Sequence, residues 1–218
     1  MGGIADKHVE WAIVNRLKAM LDEPPQTPFN VTQTFALFSS ILLWSKNRAW
    51  VAGKRAALGE RAGDNDRRAH EARLALGRVL ITAAPWSLST IDPQVVVLGD
   101  ERDQVPGRAR INSDFENMTA EAFFEWLRNA VAHGDARTIK PIHKVSARSG
   151  RSLLAGFRFK FEEQYGSPRK LELSLYHDDM RRLGSLLADQ FCKSLSGEDR
   201  YFEEEAGTAR IEETALAS

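Results

Sequence analysis

The sequence predicts a mainly α-helical fold, a helical bundle with a β-hairpin appended near the C-terminus. Two observations carry this. Apolar residues recur at three-and-four spacing in stretches around 4–21, 35–51, 123–131 and 180–191, the pattern of helices that each bury one stripe. The period changes to two over 153–162 and again over 170–176, and Tyr165-Gly166-Ser167-Pro168 between them is turn chemistry, which reads as a hairpin at about 153–176. With 218 residues and 43% hydrophobic content, the chain is long enough for one substantial core. The expectation is a single domain over 1–195 followed by an acidic tail.

Taken in order, residues 4–21 place Val9, Ala12, Ile13, Leu17 and Leu21 on one helical face, and Pro24, Pro25 and Pro28 then stop the helix. Asn30 or Thr32 is placed to cap a second helix. Its Phe35, Leu37, Phe38, Ile41, Leu42, Trp44 and Val51 cover most of the circumference, so this is the expected core helix. Between Lys54 and Arg78 the composition turns to charged residues with Ala and Gly, and 65–81 has helical character without a broad apolar face. It reads as an exposed helix or a mobile excursion. Val95 to Leu98, among Pro85, Pro93 and Pro106, reads as a brief strand or a packed loop.

Thr119 opens the next helix, with Glu121 in its first turn. Phe123, Phe124, Trp126, Leu127 and Val131 turn it inward, and Gly134 is expected to end it in the left-handed conformation. A basic connection leads to the hairpin. The last helix buries Met180, Leu183, Leu186, Leu187 and Phe191, and its first turn is capped by Asp178 and Asp179 beside His177. From 196 to 218 the chain is acidic and poor in large apolar groups, a composition expected to be disordered.

Composition narrows function by exclusion. Thirty Lys and Arg against thirty Asp and Glu give a formal net charge of +0, so any nucleic-acid contact must come from a local patch. A single cysteine, Cys192, excludes an internal disulfide framework and a cysteine-based zinc site, and reads as a small apolar helix residue. The apolar run from Phe35 to Trp44 is interrupted by Ser39 and Ser40 and is too short to span a bilayer. A cytoplasmic, non-membrane protein is expected. No phosphate-cradling glycine loop, nucleophile elbow or paired metal-ligand helix is present in the sequence, so neither metal nor cofactor is expected.

The segment with most chemistry is W-L-R-N-A-V-A-H-G-D, residues 126–135. An imidazole moves protons near neutral pH and a guanidinium grips a phosphate, a pair sufficient to cleave an RNA backbone without metal. At about 100° per residue, Glu125, Asn129 and His133 share one stripe, while Arg128 and His133 point roughly 140° apart. One helix alone aims that pair poorly at a single phosphate. Two copies across a two-fold axis bring pairs from both chains to one cleft.

The string R-N-A-V-A-H-G over 128–134, on a helix of this amphipathicity, resembles the HEPN superfamily (higher eukaryotes and prokaryotes nucleotide-binding). Its signature is Arg, commonly followed by Asn or another polar residue, then His near a helix end, and Arg128, Asn129 and His133 fill those positions. F-N-V-T-Q-T-F-A-L-F-S-S-I-L-L-W and the hairpin with its terminal helix also look like a bacterial subgroup of that family, so that the resemblance spans roughly 29–195. The long charged stretch before Ile81 and the hairpin lie outside the family's basic bundle. The resemblance implies a four-helix-like bundle, a homodimer through the motif helix, and a metal-independent endoribonuclease acting as a toxin or in phage defence. Attack of the ribose 2'-oxygen on phosphorus would use His133 as base or acid, Arg128 to stabilise the phosphorane and Asn129 to orient the scissile group. The alternative it implies is a non-catalytic module that binds nucleotide or a partner such as an antitoxin or nucleotidyltransferase.

Around the motif, Lys140, His143, Lys144, Arg148 and Arg151 form a run without acidic residues, placed either to track RNA or to be a solvated basic loop. Arg16, Lys46, Arg48 and Lys54 read as ordinary exposed charges ahead of a positive rim to the site, and Trp44, Trp50 and Phe123 as core rather than base-stacking platforms.

Overall fold

The computed structural model describes residues 8–24, 28–59, 63–88, 95–98, 117–134, 138–162 and 170–195. The turn at 165–168, Asp135, the proline-bearing segments at 89–94 and 99–116 and the acidic tail lie outside them. Nine elements follow in order: α1 (Val9–Asp22), α2 (Asn30–Ala57), α3 (Asp64–Leu76), β1 (Val95–Leu98), α4 (Ala120–Ala132), β2 (Ile139–Val145), β3 (Ser152–Glu162), β4 (Lys170–Tyr176) and α5 (His177–Ser194). The protein is mainly helical, with a small antiparallel sheet.

Helix α2 is the central element, as its wide apolar coverage predicts. Phe38, Ile41 and Leu42 are fully buried within it, and α1, α3, α4 and α5 all pack on it. Each such side chain contributes about 1.5–3 kcal/mol through burial. At Gly184, α5 comes close to α1 and α2, since a Cβ there would lie 2.7 Å from Leu21 and 3.1 Å from Phe38. Arg181 holds α1 to α5 by donating to the last carbonyls of α1, at 3.0 Å from Leu21 O and 2.7 Å from Asp22 O. Those carbonyls have no partner within their own helix.

One stripe of α2 faces outward, and there the sequence expectation fails. Trp44 is 38% and Trp50 50% exposed; only Phe123 of the three aromatics is buried. The helices packed on α2 take its other sides, so apolar character all round its circumference exceeds the surface its neighbours can cover. The charge expectation fails in the opposite direction for Lys46, which is 2% exposed, and for Arg48, whose side chain is 13% exposed.

The charged stretch after α2 forms a packed helix and not an excursion. Helix α3 has a narrow seam of Asp66, Ala69 and Leu76, packs on α2, and its buried carboxylate Asp66 is held by ion pairs. Arg48 and Arg55 of α2 both pair with Asp66, and Arg48 also donates to Glu10 of α1 at 2.9 Å.

Strands β3 and β4 pair as the alternation predicts, with Phe159 opposite Leu173. The sheet is larger than a hairpin, in the order β1-β4-β3-β2. Val95 to Leu98 is a strand paired with β4, and the basic connection is edge strand β2, paired with β3. Its apolar positions are sparse because an edge strand with one open side buries little, so the run carries no clear alternation. Phe159, Leu173 and Leu175 are buried against the helices, and Phe35 of α2 packs on Phe157 with ring centroids 4.4 Å apart. On the opposite face of β2, β3 and β4, Lys140, Lys144 and Arg158 are exposed.

Candidate functional site: the end of helix α4

Helix α4 starts where the sequence places it. The Thr119 side chain accepts a hydrogen bond from Ala122 N at 3.2 Å. Ala120, Phe123, Phe124, Leu127 and Ala130 are buried, and Trp86 meets Phe124 edge-on at 4.8 Å. This fixes the helix by its apolar face and leaves Glu125, Asn129 and His133 on the other side.

The C-terminus differs from expectation. His133 is the C-cap residue, its amide donating to Asn129 O at 3.0 Å. Gly134 is not left-handed: the described glycines with positive φ are Gly59 and Gly150. Space explains the glycine, because a Cβ there would lie 2.6 Å from Ile139 Cδ1 and 2.9 Å from Ala130 O. Ile139, the first residue of β2, thus rests directly on the end of the motif helix.

The three motif residues have different environments. Asn129 and His133 are exposed on adjacent turns, and no side-chain hydrogen bond links either to another described residue. Arg128 is half-buried, with 18% of its side chain exposed, and its Nη2 donates to Glu125 Oε1 at 3.1 Å. Among the described residues its buried Nε has no partner, so Glu125 does not use all of the guanidinium's donor capacity.

Sequence reasoning missed what stands behind Glu125. The buried Lys46 ammonium of α2 lies 3.3 Å from Glu125 Oε2 and 3.4 Å from Glu121 O, while Arg73 of α3 pairs with Glu121. Burial pulls the Lys46 ammonium below its ordinary 10.5, and the charges of Glu125 and Glu121 oppose that shift. One signal for Lys46 was present, since Leu42, Lys46 and Ala49 continue the buried i, i+4, i+7 stripe of α2. Glu125 is therefore clamped on one side by Lys46 and shared on the other with Arg128.

The basic run does not stay together. Lys140, His143 and Lys144 are exposed on β2, and Arg148 and Arg151 are exposed in the β2–β3 connection. Lys140 pairs with Arg158, and Lys144 with Leu153, on the face of the sheet opposite the helices, whereas His143 pairs with Leu154, which packs towards the core. His177 bonds Asp178 at 3.0 Å, and Asp179 accepts from Tyr176 N at 3.0 Å, the cap expected there. Burial, with the Asp189 charge adding to it, pushes the Cys192 thiol up to about 12, which makes it inert as a nucleophile. A groove of about 530 Å³ beside Trp44 is lined by Glu10, Arg48 and Arg55 among others, with no residue from α4. Among the described residues no group of three His, Cys, Asp or Glu is placed to hold a metal ion, and no helix is long and apolar enough to cross a membrane.

The chain matches no protein-family model, no curated protein and no solved structure. The likeness to the HEPN superfamily accordingly rests on the residues quoted above.

Proposed function

We propose that the chain is a HEPN-type endoribonuclease that works as a homodimer without metal, through Arg128, Asn129 and His133. The observation that carries this reading is the exposed Asn129–His133 stripe at the end of an otherwise buried helix, with the part-exposed Arg128 guanidinium on the same helix. Solvent-facing polar groups clustered on a rigid, well-capped helix are the arrangement a preorganised site requires. In the reaction, His133 of one copy takes the proton from the ribose 2'-oxygen as it attacks phosphorus. The imidazolium so formed returns the proton to the leaving 5'-oxygen, giving a cyclic phosphodiester and a free 5'-hydroxyl. Arg128 offsets the charge gathering on the phosphorane, and Asn129 orients the phosphate. A toxin or phage-defence setting, with an antitoxin as partner, fits such an activity.

A second reading has its own observation. The Arg128–Glu125 ion pair is what a non-catalytic module would retain, one that binds nucleotide or docks a partner such as a nucleotidyltransferase. Cleavage of labelled RNA in excess chelator separates the two. The parent is expected to cut, and His133→Ala and Arg128→Ala are each expected to slow it by about 10²–10⁴-fold. Equal cleavage by parent and variants, or none by the parent, supports the binding module.

A further inference from the structure

The face of the sheet opposite the helices carries a cationic surface that the motif does not account for. Phe159, Leu173 and Leu175 point into the core, so by strand alternation Arg158, Lys160, Glu172, Ser174 and Tyr176 point away from it. Lys140 and Ile142 join that face through their pairing with Arg158 and Gly156, and Lys144 through its contact with the Tyr176 ring, 4.2 Å from its centroid. Among the described side chains, four cations, Lys140, Lys144, Arg158 and Lys160, thus share this face with one carboxylate, Glu172. That carboxylate meets Arg158 at 2.9 Å and Lys160 at 3.7 Å, which leaves Lys140 and Lys144 outside the ion pairs. Tyr176, at the end of β4, carries the Lys144 ammonium over one face of its ring and pairs with Gly156, which has no side chain.

We infer that this face binds single-stranded RNA, with phosphates on Lys140, Lys144 and Arg158 and a base against Tyr176. Lys140 and Lys144 lie four residues apart along one strand, roughly 13 Å at about 3.3 Å per residue, the reach of about two nucleotides of an extended strand. A flat cationic sheet with an aromatic ring suits unpaired bases, which expose their faces, and offers no ridge to enter a duplex groove. A lipid surface is the poorer fit. The exposed Val145 and Leu153 at the hairpin end belong to successive pairs, Val145 with Ser152 and Lys144 with Leu153, so they point to opposite faces and form no single inserting edge. The location also favours a strand leading to the motif, since β2 begins with Ile139 seated on the end of α4. Only the choice of RNA over DNA rests on the cleavage reading.

The test measures binding with cleavage removed. Full-length His133→Ala protein is titrated against a fluorescent single-stranded RNA, a duplex of the same length and vesicles of phosphatidylglycerol. The same titrations follow with Lys140→Glu and Lys144→Glu added, and with Arg67→Glu and Arg68→Glu added as a pair of equal charge change on exposed positions of α3. The sheet pair is expected to lose at least about tenfold in affinity and to lower the salt dependence by about 1.4 in log–log slope, two phosphate contacts on a single strand. The α3 pair is expected to lose far less. The inference is overturned by equal losses from both pairs, by no loss from the sheet pair, by equal affinity for duplex, or by preference for the vesicles. Because His133 is already replaced, absence of nuclease activity in the parent leaves this result untouched.

Discussion

Asp66 shows how a charged residue becomes part of a core. It is 6% exposed between Arg48 and Arg55, and burial alone would raise its carboxyl above the ordinary 3.8, but the two guanidiniums outweigh that and hold it lower. A depressed carboxylate stabilises the fold fully above its unfolded value and loses that contribution as pH falls through the folded one. Asp66→Asn is therefore expected to cost about 2 kcal/mol at neutral pH, with the gap to the parent closing below pH 3.8. Urea unfolding of both proteins across that range checks it, and a gap that stays constant with pH would refute the role given to the carboxylate. In the sequence Asp66 looks like any acidic residue in a charged helix, because its burial depends on two arginines from another element. Lys46 is the contrasting case: it reads as an exposed charge although Leu42, Lys46 and Ala49 continue the buried stripe of α2, and its partner Glu125 lies on another helix.

At the scale of the element, α4 was the most legible part of the chain. Its cap, its apolar face and its end near Gly134 follow from residue order, because helix signals act within a turn or two. The reason for Gly134 was not legible, because Ile139 reaches it from a strand. The two explanations make opposite predictions. A left-handed glycine tolerates Asn better than Ala, whereas a glycine required by space tolerates Asn less well. Here Gly134→Ala is expected to cost about 1–3 kcal/mol and Gly134→Asn more, read as the order of thermal midpoints; the reverse order would restore the left-handed account. Strand β2 was missed for a related reason. Pairing along one side only, it has Lys140, Pro141, His143, Lys144 and Val145 exposed, so no period could show.

At the scale of the whole molecule, helices pack on one face of the sheet, Lys140, Lys144 and Arg158 are exposed on the other, and the motif helix ends where β2 begins. A composite site across two copies has a consequence for mixtures. When Arg128→Ala and His133→Ala chains are mixed and allowed to exchange, half the dimers are mixed and each keeps one intact Arg–His combination drawn from both chains. Roughly a quarter of parental cleavage is expected to return. No recovery, with exchange verified by mass, would place Arg and His of each site on a single chain and end the composite reading.

By itself the sequence determined helices α1, α2, α4 and α5 and the alternating pair β3 and β4, and it spelled out the motif, since all are written in local spacing and capping chemistry. Only the tertiary structure decided that the charged stretch packs as α3, that Lys46 and Glu125 stand behind Arg128, that Trp44 and Trp50 face outward, and that the basic run is a sheet edge. Those outcomes depend on which side of an element its neighbours occupy, and residues far apart in the chain settle that together.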